Sequence, residues 1–215
     1  MKQHSKIKSS YFLPKKTITV FVIILSLFAI ISYGFKGTEN VITGNIKHEE
    51  VNQDSVESVK AFMDVYKVLM SPRCMNCHPA GDQPLQGNDS HKHIMNVKRG
   101  KDGKGLYSMK CSNCHQPTNV AGLRTPPGNP KWQLPPADMK MVFEGKTAHE
   151  LAVQIMDYNR NGHKNKEQLI EHARDTLVKA GWHMGEGRPA PPLSYEAFVE
   201  VWDTWIEKGG YAPNP

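Results

Sequence analysis

Apolar residues recur with helical spacing near both ends of the part of the chain that is expected to fold. The first such stretch begins at Asp54 or Ser55 and ends before Pro72, a residue type that breaks a helix interior. The last stretch follows Ser194, a residue type that caps helices, and covers residues 195–208. We expect these N- and C-terminal helices to pack against each other.

Two further helices are predicted between them. Thr147 and Glu150 form a capping-box pattern, in which each side chain bonds the backbone of the other residue. Another helix is expected to begin near Asn165 and to end by Gly181. The connections are rich in glycine and proline, and strand-like alternation of useful length is missing. The predicted fold class is therefore mainly α and loop-rich.

The first 36 residues have the pattern of an export segment. Lysines precede an apolar run over residues 18–31, so the N-terminus is expected to stay in the cytoplasm while the rest enters the periplasm. This segment is either an anchor in the inner membrane, formed by residues 17–35, or a signal peptide cleaved near Gly34; we favour the anchor. Residues 37–53 are predicted to be a tether, and residues 54–215 the folded domain.

The net charge of +6 comes from the export segment. Six of the 27 basic residues and none of the 21 acidic residues lie in residues 1–36. The exported part therefore has 21 residues of each sign and a formal charge of zero. This balance gives no case for nucleic-acid binding, which is typical of basic surfaces with interleaved aromatic residues.

The candidate chemistry lies in two copies of C-x-x-C-H, the attachment signature of a c-type haem. In this signature two thiols bond the haem covalently and the adjacent histidine binds its iron. The residues are Cys74, Cys77 and His78 in the first motif, and Cys111, Cys114 and His115 in the second. These four cysteines are the only ones in the chain. The sequence therefore predicts two haem c groups.

A four-thiolate zinc site and two disulfides are the alternatives. However, 33 residues separate Cys77 from Cys111, which exceeds the roughly 15–20 typical of zinc ribbons. Neither alternative explains why a histidine follows both cysteine pairs.

The sixth position of each iron decides its chemistry, since a methionine raises the reduction potential and an open position binds small molecules. Three candidate ligands stand out. His93 lies in the loop between the motifs, His172 lies at the border of an apolar helix face, and Met139 follows a pair of prolines. The sequence alone does not choose between them.

The spacing of the motifs bears on their arrangement. Only 37 positions separate Cys74 from Cys111, which is too few for a complete single-haem domain before the second motif begins. We therefore expect both haems to share one domain and to lie within electron-tunnelling range.

Four blocks carry a resemblance to a known family: residues 71–86, 109–116, 134–145 and 185–193. They resemble exported bacterial cytochromes labelled as isoquinoline 1-oxidoreductase subunits. The resemblance implies a cytochrome c-like dihaem domain whose partners are redox proteins. It would accept electrons from a dehydrogenase or hydroxylase, a class that includes molybdenum enzymes, and pass them to the respiratory chain.

An electron-transfer subunit, rather than an enzyme in its own right, is thus the leading interpretation. The chain shows no nucleophile–base constellation and no further cofactor motif. A dihaem peroxidase, or a redox or gas sensor with one open haem position, is the alternative.

Overall fold

The computed structural model describes residues 52–215. The predicted export segment and nearly all of the tether lie outside these residues. The described part is mixed helical, with about 37% helix and a few short strands. Its helices are α1 (Gln53–Leu69), α2 (Pro72–Met75), α3 (Ala148–Met156), α4 (Lys166–His172), α5 (Thr176–Lys179) and α6 (Tyr195–Glu207). Among residues 52–215 no helix has the length and apolar content needed to cross a membrane.

Helices α1 and α6 pack against each other, as predicted. The rings of Phe62 and Trp205 are both fully buried, and their centroids lie 4.5 Å apart. Ser58, also buried, donates its hydroxyl to the carbonyl oxygen of Trp205 at 2.9 Å. At the rim, Lys208 forms an ion pair with Asp54 at 2.7 Å. Burial of two large aromatic side chains makes this contact the centre of the core.

The helix starts follow the capping signals in the sequence. Asn52 caps α1 by accepting the backbone N–H of Asp54, so the helix begins slightly earlier than predicted. The capping box of Thr147 and Glu150 forms in both directions at the start of α3. Asn165 caps α4 in the same way, together with Gln168. These caps satisfy backbone donors that a helix start leaves unpaired.

The apolar stripe of α1 is narrower than its spacing predicted. Val56 and Met63 are 48% and 39% exposed, because the helix contacts its neighbours on one side only. Tyr158 is also exposed and lies beyond the end of α3. The remaining core comes from α3, α4 and α6, mainly through Leu151, Ile155, Leu169, Phe198 and Trp202.

The long connection between the two motifs contains two small antiparallel hairpins. Strands β1 (Leu85–Gln86) and β2 (His91–Lys92) form one, and strands β3 (Gly105–Leu106) and β4 (Met109–Lys110) form the other. Strands this short carry too few residues for an alternating pattern to appear in the sequence.

Gly103 fixes the position of the loop that follows the second motif. Its φ is +77°, and a Cβ there would meet the carbonyl oxygen of Leu134. The backbone N–H of Leu134 donates to the Gly103 carbonyl at 2.9 Å. Only glycine allows this approach, which holds residues 132–143 against the candidate site.

Candidate functional site

The first motif begins on the short helix α2. Pro72 occupies the first turn of that helix, where its missing N–H costs nothing. The backbone N–H of Cys77 then donates to the Cys74 carbonyl at 3.1 Å, and that of His78 to the Met75 carbonyl at 2.9 Å. This tight turn brings both thiols and the imidazole to the wall of one cavity.

The His78 ring is held from two sides. Its Nδ1 lies 2.7 Å from the carbonyl oxygen of Met141, which can only accept, so Nδ1 carries the ring proton. Its face stacks on Phe143, with the ring centroids 3.8 Å apart and the planes 5° from parallel. The other nitrogen, Nε2, is thereby left with a free lone pair. Metal-binding histidines are typically oriented in this way, by a backbone carbonyl on the second nitrogen.

The second motif repeats this arrangement with different neighbours. A short 3₁₀ turn over Cys111–Asn113 carries it, and the N–H of His115 donates to the Cys111 carbonyl at 2.9 Å. Nδ1 of His115 lies 2.7 Å from the carbonyl oxygen of Pro127. Its ring stacks on Trp132, with centroids 4.2 Å apart and planes 11° from parallel. Both motif histidines therefore present a free Nε2.

A cavity of about 750 Å³ opens beside the first motif. It lies within the volume range of cofactor sites, roughly 300–1,000 Å³, and its wall is mostly apolar. The structure brings two of the three predicted sixth ligands, His172 and Met139, to the same cavity as His78. The apolar part of the wall includes Leu69, Phe143, Ile155, Leu169, Phe198 and Trp202.

Burial controls the protonation of the first motif. It raises the pKa of the Cys74 thiol to about 12 and that of the Cys77 thiol to about 11, because the thiolate would lose its hydration. Both thiols are therefore protonated at neutral pH and are weak nucleophiles. Burial likewise lowers the pKa of His78 to about 4, so the imidazole is neutral, the form that binds metals.

His172 is the last residue of α4 and lines the cavity. It is accessible, yet the protein packed around its ring lowers its pKa, with the charge of Lys164 adding to the effect. A position on a cavity wall explains both properties, because the ring contacts protein on one side and open space on the other. Met139 is half-buried on the same wall, in the proline-containing loop.

His93 does not line this cavity, and its backbone bonds Gln83 and Pro84 in the loop after the first motif. The pKa of His115 is lowered mainly by burial, and the charge of His93 lowers it further. The His93 ring is half-buried, and its Nδ1 accepts the N–H of Met95 at 3.3 Å. In the neutral ring this bond places the proton on Nε2, unlike the arrangement in the two motif histidines.

The second site is much more open than the first. Cys114 is exposed, and His115 is only half-buried. A depression of about 360 Å³ adjoins it, lined by Ser112 of the motif, by Trp132 and by lysines. The two sites therefore share their histidine geometry and differ in their surroundings.

Sequence reasoning missed the groups that orient both histidines. The stacking rings of Phe143 and Trp132 and the carbonyls of Met141 and Pro127 all lie in the proline-rich connection over residues 126–143. The concentration of prolines there was a usable signal, because prolines fix the path of an otherwise irregular loop. Backbone carbonyls carry no signature in side-chain identity.

The donor groups fit haem better than the alternatives. All four cysteines are free thiols rather than disulfides. Within residues 52–215 no three histidine, cysteine or acidic side chains converge to form an all-protein metal site, so the four thiols do not form one tetrahedral set. The chain matches no protein-family model, no curated protein and no solved structure.

Proposed function

We propose that this protein is a dihaem c-type cytochrome that serves as an electron-transfer subunit in the periplasm. The observation that carries the proposal is the repeated histidine geometry. Next to each thiol pair, a histidine donates Nδ1–H to a backbone carbonyl 2.7 Å away, stacks on an aromatic ring and keeps Nε2 free. Haem bound at such positions supplies one-electron redox chemistry.

The residues that would hold the first haem are Cys74, Cys77 and His78. The cavity beside them is large and mostly apolar, as a hydrophobic macrocycle requires. The residues that would hold the second are Cys111, Cys114 and His115, in a more exposed setting.

We assign the sixth position of the first iron to His172. Its ring shares the cavity with His78, and the protein packed around the ring lowers its pKa and so favours its neutral form. Met139 lies on the same wall and is the competing ligand. His93 remains the candidate for the second iron, where ligation through Nε2 requires the ring to give up its bond from Met95.

The partners and the location follow from the sequence pattern. The N-terminal segment favours export and attachment to the inner membrane. A domain with two one-electron groups fits a relay that takes electrons from a dehydrogenase or hydroxylase and delivers them to the respiratory chain.

Haem content is the decisive measurement. The full chain would be produced with a c-type haem attachment system, and its mass and alkaline pyridine spectrum would be recorded. We expect two covalent haems per chain, one in Cys74→Ala/Cys77→Ala or Cys111→Ala/Cys114→Ala, and none in the quadruple variant. A protein that carries zinc and no covalent haem would overturn the proposal.

Optical spectra of the oxidised and reduced protein test the sixth ligands. His172→Ala is expected to convert one haem from low-spin to high-spin, whereas Met139→Ala leaves the spectrum unchanged. The reverse result, with loss of the near-infrared band of a methionine-ligated ferric haem, would move the assignment to Met139. If the parent protein already has a high-spin haem and turns over peroxide, the dihaem peroxidase becomes the better function.

A further inference from the structure

The exported part has a formal charge of zero, but its basic and acidic residues are unevenly distributed along the chain. The segment over residues 90–137, here called the second-motif segment, contains eight basic residues and one acidic residue, a formal charge of +7. The other described residues, 52–89 and 138–215, contain 12 basic and 17 acidic residues, a formal charge of −5. Charge is therefore distributed unevenly along the chain, although the described residues together carry a formal charge of only +2.

The positive charge is concentrated beside the second motif. Three lysines, Lys104, Lys110 and Lys131, and one acidic residue, Asp102, line the 360 Å³ depression. Trp132, whose ring stacks on His115, lies on the same wall. Lys101 lies nearby in the same loop and is exposed. A positively charged rim thus adjoins the open haem site.

An apolar side chain projects from the same surface. The hairpin β3–β4 joins Lys104 to Lys110, and Tyr107 at its tip is 88% exposed. Tyr107 has a positive φ of 47°, which a non-glycine residue adopts only at some cost. An exposed tyrosine on a hairpin between two lysines has the composition of a protein-binding surface, an aromatic anchor beside charged residues.

We propose that Lys101, Lys104, Lys110 and Tyr107 form the docking surface for an acidic redox-partner protein next to the second haem site. The inference rests on the proposed electron-transfer function. The other described residues carry a net negative charge and repel the same partner, which favours encounters at the second-motif segment. Electrostatic pairing of this kind raises the rate of association more than the final affinity, which suits short-lived electron-transfer complexes.

The first test uses poly-L-glutamate as a model acidic partner of the holoprotein. Lys101→Gln/Lys104→Gln/Lys110→Gln is expected to weaken binding about tenfold at low salt, and the difference should shrink as ionic strength rises. The matched control is Lys60→Gln/Lys67→Gln/Lys166→Gln, which removes the same charge from exposed positions on α1 and α4 and should change binding less than twofold. Equal effects of the two triple variants would overturn the proposal.

The second test asks whether the surface leads to the haem. Oxidation of the reduced protein by anionic ferricyanide should slow several-fold in the Lys101/Lys104/Lys110 variant, whereas oxidation by cationic tris(phenanthroline)cobalt(III) should quicken. Unchanged rates with both reagents would refute a route through this surface. Haem content is measured before binding. A chain that carries no haem and still binds poly-L-glutamate would refute the proposed function but would still support a docking surface for an acidic partner.

Two other occupants give distinct results. Attachment to phosphatidylglycerol vesicles without binding of poly-L-glutamate would identify an anionic membrane instead of a protein. A concentration-dependent dimer in sedimentation velocity that the triple variant abolishes would identify the negative part of a second copy. Either result overturns the proposal.

Discussion

The two motifs have the same local geometry in opposite surroundings. Each histidine donates Nδ1–H to a carbonyl 2.7 Å away and stacks on an aromatic ring. The first motif lines a 750 Å³ cavity bordered by core residues, whereas Cys114 of the second is exposed. The backbone turn thus sets the ligand geometry, and the rest of the chain decides how enclosed each site is. Since exposure and burial tune haem potentials, we expect the two proposed haems to differ in potential and in access to partners.

The largest effect is expected from variants that remove the two thiols of one site at a time. Cys74→Ala/Cys77→Ala should lower the stability of the fold more than Cys111→Ala/Cys114→Ala, because the mostly apolar wall of the 750 Å³ cavity would then face water instead of a haem. Cys111→Ala/Cys114→Ala should keep its fold and lose only one haem. Thermal unfolding followed by far-UV circular dichroism checks both variants.

Equal behaviour of the two thiol variants would contradict the distinction between an enclosed site and an open one. Thiol-to-serine variants at the same positions are the control, because they separate loss of the haem from loss of side-chain volume.

The stacking aromatics give the next largest effect. Phe143 is 6% exposed, and its N–H donates to the His78 carbonyl at 2.9 Å. Phe143→Ala should therefore cost about 3–5 kcal/mol of unfolding free energy in urea titrations. Trp132 is only half-buried, so Trp132→Ala should cost about 1–2 kcal/mol. A larger loss from Trp132→Ala would mean that the second site, not the first, supports the fold.

Arg99 links the surroundings of the two sites. Its side chain is 1% exposed and donates to the carbonyls of Pro135 and Gly81, the latter at 3.1 Å. Arg99→Lys should cost about 2–3 kcal/mol, because one ammonium group cannot replace a buried guanidinium that donates to two separate carbonyls. Unfolding by urea measures this loss.

Arg174→Lys is the matched control for Arg99. Arg174 pairs with Asp203 near the surface, and exposed pairs contribute at most about 1 kcal/mol. If the two lysine variants lose equal stability, Arg99 does not serve as a buried link.

Some features of the two sites could be predicted from the sequence and others could not. The packing of α1 on α6 and the caps of α3 and α4 were predictable, because apolar spacing and capping residues act over a few positions. The placement of His172 and Met139 on one cavity was not, since it depends on how α4 packs and on the close approach at Gly103. The uneven distribution of charge along the chain was hidden because a whole-chain count cancels opposite signs that lie in different segments.

The smallest expected effect concerns the charges around Arg99. Asp82, in the loop after the first motif, accepts a hydrogen bond from Lys140 and lies 3.6 Å from Arg99, and these cations lower the pKa of its carboxyl group. A lowered folded-state pKa stabilises the protein above the unfolded value of about 3.9 and loses that contribution as the pH falls through the folded value. Asp82→Asn should therefore lower the free energy of unfolding at pH 7 by less than about 1 kcal/mol, because the carboxylate is more than half exposed. The variant should also lose less stability than the parent as the pH falls into the acid range, a fall called the acid limb below.

Urea unfolding between pH 2 and pH 7 measures this limb, with Asp64→Asn, whose carboxylate pairs with Lys67 on α1, as the control. A steeper acid limb in Asp82→Asn than in the parent would show that the carboxylate is strained beside its cations. The ion pair of Asp82 with Arg99 would then add nothing to the bonds that Arg99 makes to the two carbonyls. In that case Asp82→Asn and Arg99→Lys should have additive effects, whereas a shared ion pair makes the double variant less destabilised than the sum.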